Sequence, residues 1–355
     1  MENKQISPEM FRVVGATASD AEKITRPSLT FWQDAWMRLK KNRGALFGLI
    51  VTIILILLSI IAPLLSSYKY SDQDLRHANL PPKVPGLEKI DWLPYNGFSS
   101  ERIDSRGIKT PARDMYVSEN MRTGEVTKYN KYHYFGTDDL GRDLWTRVWT
   151  GARVSLLIAL IAAGIDFILG VTFGGISGFF GGKVDMIMQR FVEVMYGIPY
   201  LIVVILFRVI FEKAGIVTLA LAMTITGWIG MSRIVRGQIL KLKNQEFVMA
   251  AQTLGASNMS IIFKHLIPNS LGPILISIMF TIPAAIFAEA FLSFLGLGIS
   301  PPLASLGSLV SDGIKSLQSA PYKLVYPAAT ISIMILSFNL VADGLRDALD
   351  PKMRK

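Results

Sequence analysis

QEFVMAAQTLGASNMSIIFKHLIP, residues 245–268, is a polar, mixed-charge interlude between two strongly apolar segments. Phe247, Ala250, Ala251 and Leu254 recur at helical spacing and form one apolar stripe. Gly255 follows as a helix stop, because glycine takes positive φ without steric cost. Ser257 or Asn258 can cap a following helix. Pro268 falls about three turns later. The spacing predicts a short amphipathic helix, a sharp turn, and a second helix running into the next apolar segment. By pattern alone, an ordinary helical loop between two spans satisfies the same residues.

The surroundings of this stretch decide its setting. The chain has 355 residues, 51% of them hydrophobic, and a net charge of +10. It is too apolar for a disordered protein and more basic than most soluble ones. The apolar runs make a membrane a simpler partner than nucleic acid. The absence of cysteine excludes disulfides, thiolate metal sites and a cysteine nucleophile. His77, His133 and His265 lack metal-ligand spacing. There is no phosphate-cradling GxxxxGK[ST] motif, no GxSxG and no HExxH. ATP hydrolysis and covalent chemistry are therefore expected on other chains, and no metal or cofactor is expected on this one.

Working outward gives six apolar spans. Residues 1–43 form a polar segment that ends in Trp32, Trp36 and Leu39 interleaved with Arg38, Lys40, Lys41 and Arg43. This reads as an amphipathic helix on the inner membrane surface. Residues 44–65 carry no charge and are long enough, at about 33 Å, to cross a bilayer. The basic cluster before them places the N-terminus inside. With residues 44–66 as the first membrane helix, residues 67–135 become an extracellular insert, either a small ordered unit or a loop. Within it, Val126 to Phe135 alternates as a strand does. The Asp138 to Asp143 region reads as tight polar turns, and Leu144, Trp145, Val148 and Trp149 as a face suited to the membrane interface.

Further spans are expected at 154–175, 195–211 with a kink at Pro199, 216–231, 271–297 interrupted by Pro273 and Pro283, and 324–341. Gly174 to Gly182 reads as close helix packing and a turn, followed by a short basic inner loop. Arg208 is expected to snorkel toward the outer surface. Arg233, Arg236, Lys241 and Lys243 put residues 245–268 on the inner side. Asp166 and Glu289 fall within spans, where a carboxylate faces the protein interior or water. Both are candidates for the translocation path. Glu289 is the stronger, as a holder for a cargo amino group, against the plainer reading that it ties two helices together.

Two sets of residues carry a family resemblance. Ala250-Ala251, three residues, Gly255, twelve residues and Pro268 resemble the "EAA" loop of ABC-importer permeases. The family's Glu falls at Met249, its Ile at His265 and its Leu at Ile267. Glu246, one turn before Met249, is the carboxylate that can replace the missing one. GTDDLGRD at 136–143, GARVSL at 151–156, AEAFLSFLGLGISPP at 288–302 and NLVADGLRDALDPK at 339–352 resemble the oligopeptide/dipeptide importer permeases, in particular their C-type subunit. The family's Trp-Gly after the diproline is Leu306-Gly307 here. The resemblance runs from about 135 to 351, weakly includes the first span, and leaves out 67–130.

The resemblance implies an all-α type I ABC-importer permease fold. It has six transmembrane helices, a core at 136–345, a cytoplasmic tail at 346–355 and both termini inside the plasma membrane. It implies docking of a cytoplasmic ATPase through Glu246, Phe247, Ala250, Ala251, Leu254 and Gly255. It also implies a homologous second permease, two ATPases carrying ATP and Mg²⁺, and an extracellular peptide-binding protein. The alternatives are an importer for nickel or another small solute, a stand-alone channel or secondary transporter, and an intramembrane enzyme.

Overall fold

A computed structural model describes residues 30–90, 93–99, 102–103, 109–119, 126–128, 131–211 and 215–349. The polar segment before residue 30, Trp92, residues 212–214 and the basic tail after 349 lie outside the described residues. Helix α1 (Phe31–Lys41) opens with a capping box from Thr30, and α2 (Arg43–Leu65) is capped by Asn42, whose side chain accepts from Ala45 N at 3.1 Å. Helix α1 carries exposed Trp32, Trp36 and Met37, the amphipathic pattern expected of it.

Helix α3 (Leu144–Phe180) is the central element. It packs against α2, α6 (Ile216–Leu242), α10 (Leu271–Phe294) and α12 (Tyr322–Leu349). Its 37 residues make a rod of about 55 Å, far longer than the span expected at 154–175. Leu144, Val148 and Trp149 are buried against the rest of the chain. The glycine-rich run from 174 continues the helix and brings α6 close: a Cβ at Gly178 would lie 2.9 Å from Arg236 O. Small residues at this spacing let two backbones approach.

The third span differs from its expectation. The basic stretch after Gly182 is helical, as α4 (Gly182–Gly197), and α5 (Tyr200–Ile210) follows at 77°. The cause is local. Pro199 supplies no N–H and forces Ile198 into an extended conformation (φ −78, ψ 121), which ends α4. Arg208 donates to Ser300 Oγ at 3.0 Å. Helix α6 runs eleven residues beyond its expected end at 231. Helix α10 begins at Leu271 and passes Pro273 unbroken, because a proline in the first turn removes no intrahelical hydrogen bond. Among the described residues five helices are long and apolar enough to cross a membrane, and α4–α5 makes a sixth when counted as one broken span.

Between α2 and α3 lies an ordered unit. It includes two antiparallel ribbons, β1 (Arg102–Ile103) with β2 (Lys109–Thr110), and β3 (Val117–Glu119) with β4 (Val126–Lys128). The strand expected from 126 to 135 is thus only three residues long. Buried polar bonds fasten this unit to the helices. Thr137 donates to His77 O and accepts from Leu80 N at 2.8 Å. Asp143 caps α3 through Thr146 N and pairs with His133 at 2.8 Å. Tyr322 and Lys323 of α12 bond Thr137 O and Asp139, and Phe135 stacks on Tyr326 with ring centres 3.9 Å apart.

Candidate coupling helix and translocation cavity

Helix α7 (Glu246–Thr253) is the short helix expected at the opening stretch. Gly255 takes φ +79 and ends it. Its N–H donates to Gln252 O at 2.9 Å, and Ala256 N donates to Ala251 O at 3.0 Å, a Schellman stop. Ser257 caps the next turn through Ser260 N at 3.3 Å. From there α8 (Asn258–Ser260), a π-helical segment (Ile261–Leu266) and α9 (Ile267–Asn269) lead into α10.

The expected apolar stripe divides into two faces. Ala251 turns inward with Val248, and both join Val235, Ile239, Ile261, Ile262 and Leu266 in one apolar cluster. Glu246, Phe247, Ala250, Leu254 and Gly255 are exposed, Leu254 at 87%. Met249 and Phe263 add exposed apolar surface beside them. Val248, absent from the predicted stripe, is the residue that anchors the helix. Its spacing of three from Ala251 puts the two residues on one face of the helix. An exposed apolar patch on a helix held from behind is the form of a docking surface.

A polar clamp braces the same end of the molecule. Asp185 on α4 accepts two hydrogen bonds from Arg236 on α6, at 2.7 Å and 2.5 Å. Ser177 on α3 also donates to Asp185, and Lys243 Nζ bonds Gly178 O at 3.1 Å. Three helices therefore meet directly behind the segment that presents α7.

The two membrane carboxylates occupy different environments. Glu289 on α10 is 1% exposed. Its carboxyl accepts from Ser155 Oγ on α3 and from Ser293 Oγ, each at 2.7 Å. Ser155 Oγ in turn accepts from Leu306 N, at the start of α11 (Leu306–Lys315), at 3.1 Å. Glu289 thus ties α10 to α3 and, through Ser155, to the start of α11.

Asp166 borders a cavity of about 420 Å³ between α3, α5, α6 and α10. Tyr200, Thr226, Gly227, Ser277 and Thr281 also line it. Tyr200, Thr226, Gly227, Ser277 and Thr281 carry no signal in the sequence that marks them out. Serines and threonines within apolar helices resemble ordinary packing residues until a cavity opens beside them.

The kinship of the chain is evident along its whole length. A family model described as "Binding-protein-dependent transport system inner membrane component" matches residues 170–355. A second, "N-terminal TM domain of oligopeptide transport permease C", matches residues 30–82. The oligopeptide transport system permease protein OppC of Bacillus subtilis is 45% identical over 352 residues, covering 99% of this chain and 100% of that protein. The dipeptide transport system permease protein DppC of the same organism is 42% identical over 355 residues, covering 100% and 96%. OppC of Escherichia coli K12 is 37% identical over 334 residues, covering 94% and 95%. The similarity to the two Bacillus proteins thus extends through residues 67–130 as well. The full-length identity, the helical fold and the matched residues together place this chain in the binding-protein-dependent transport family, whose members are inner-membrane permease components.

Proposed function

We propose that this permease carries oligopeptides or dipeptides across the plasma membrane, with α7 seated in a cytoplasmic ATPase. The names of its relatives, oligopeptide and dipeptide transport permeases, supply the cargo class. The observation that carries the coupling reading is the geometry of α7. Val248 and Ala251 hold it to the bundle, while Phe247, Ala250 and Leu254 point away from the chain. Closure of a pair of ATPases, which hold the ATP and Mg²⁺, then moves α7 and with it the joined α6 and α10. A packed bundle of this kind switches between discrete arrangements, here inward-open and outward-open.

In this reading a homologous second permease closes the Asp166 cavity into a path, and an extracellular peptide-binding protein delivers cargo. Both termini and α7 face the cytoplasm, and the unit between α2 and α3 faces outward. Glu246 takes the place of the motif carboxylate, since it is exposed on the first turn of α7. The test is to restore peptide uptake in a strain lacking this chain and to isolate the complex. Uptake that peptides compete and co-isolation of ATPase subunits support the reading. Competition by nickel ions instead, or isolation without an ATPase, counts against it.

A further inference from the structure

We infer that Asp166 and Tyr200 form the point in the path that receives the positively charged amino terminus of the travelling peptide. The inference rests on the peptide-import reading and names the chemistry of its cavity. Asp166 is 7% exposed and borders the cavity, and no group among the described residues hydrogen-bonds its Oδ1 atom. Tyr200 lines the same cavity, and its buried hydroxyl has no hydrogen-bond partner among the described residues. None of the described residues lining the cavity is Lys, Arg or His.

A carboxylate in this position is costly unless a cation or a proton neutralises it. Among the described residues lining the cavity none supplies a cation, so the ligand that suits the site brings one. A peptide's α-ammonium does so, and it carries three N–H donors. Asp166 accepts one. The remaining donors require neutral acceptors, and Tyr200, Ser277 and Thr281, which line the same cavity, carry hydroxyl oxygens. The volume lies within the range of about 300–1,000 Å³ that holds small ligands. It admits the end of a peptide without requiring one particular side chain.

Two further features fit this role. A Cβ at Gly227 would lie 2.7 Å and 2.8 Å from the two carboxylate oxygens of Asp166, so only glycine on α6 leaves the carboxylate its place. Tyr200 is the first residue of α5, directly after the bend at Pro199. Any change in that bend moves the hydroxyl relative to Asp166, which provides a way to release what the pair holds. Glu289 offers none of this, because two serines already occupy its carboxyl.

The experiment uses the complete importer in proteoliposomes: both permeases, the ATPases and the binding protein. Initial uptake is measured for one peptide and for its des-amino analogue, in which hydrogen replaces the α-amino group. Both are supplied at saturating concentration, and each is normalised to its own wild-type rate. Asp166→Asn keeps the shape and removes the charge. It is expected to slow the free-amino peptide about tenfold, the effect of losing one charge-assisted contact, and the analogue less than about twofold. Asp166→Glu is expected to recover part of the loss. Tyr200→Phe, which retains the ring, is expected to show the same selectivity at about threefold and serves if Asp166→Asn fails to assemble. Equal losses for both peptides, or no loss, overturn the inference and leave the import reading standing. A wild-type importer that moves neither peptide overturns the import reading itself, and the inference with it.

Discussion

Ser155 on α3 donates a 2.7 Å hydrogen bond to Glu289 on α10, joining residues 134 positions apart in the sequence. The same serine accepts from Leu306 N, so one hydroxyl links two membrane helices to the start of α11. Glu289→Ala is expected to cost about 2–3 kcal/mol, because it leaves a cavity and removes the common acceptor of two serines. Glu289→Gln is expected to cost less. Thermal unfolding of the purified protein in detergent measures both. A Glu289→Ala protein as stable as wild type would contradict the tying role.

The two faces of α7 predict opposite outcomes. Ala250→Glu and Leu254→Asp change exposed positions and are expected to leave the protein in the membrane while abolishing uptake. Val248→Asp places a charge at a fully buried position and is expected to lower the amount of folded protein. Membrane abundance measured beside uptake separates the two classes. Normal uptake in Leu254→Asp would remove the outer face from the coupling account.

Asp185 and Arg236 form a two-bond clamp between α4 and α6. Asp185→Ala and Arg236→Ala are each expected to destabilise the protein, and their effects should not add. A double-mutant cycle on thermal stability is expected to give a coupling of about 1–3 kcal/mol. A coupling near zero would mean that the clamp does not hold the helices.

The unit between α2 and α3 carries a pH dependence of definite sign. Burial pushes the His77 imidazole below its ordinary value of 6.5. Asp74 opposes this shift, while Lys131, His133 and Arg76 add to it. The folded state therefore prefers the neutral ring. Its contribution is fully present above about pH 6.5 and is lost as pH falls from there through the lower folded value. Thermal stability should decline between pH 7 and about pH 5 in wild type, and less so in His77→Gln. Identical pH profiles would contradict the assignment.

Several of these features were legible in the sequence and others were not, for physical reasons. Gly255 marked the end of α7 because a left-handed cap has few alternatives to glycine. The apolar stripe was visible, but periodicity alone cannot tell which side of an eight-residue helix meets its own protein. Burial of Val248 decides it. Pro199 signalled a kink, yet the 77° angle depends on where α5 packs against α6. Asp166 and Glu289 looked alike as membrane carboxylates. They differ in their neighbours: Ser293 one turn on and distant Ser155 for Glu289, and distant Gly227 with an open cavity for Asp166.

The central claim is that α7 meets a motor carried by another chain, and the absence of cysteine from the sequence allows a direct measurement. Leu254→Cys and Val248→Cys are each introduced alone. Maleimide labelling is then followed in inside-out vesicles, with the ATPase subunits present and after they have been stripped away. The account predicts that Leu254→Cys is labelled only after stripping and crosslinks to the ATPase before it, while Val248→Cys stays unreactive in both. Equal labelling of Leu254→Cys in both preparations, or its labelling by an impermeant reagent from outside intact cells, would contradict the claim.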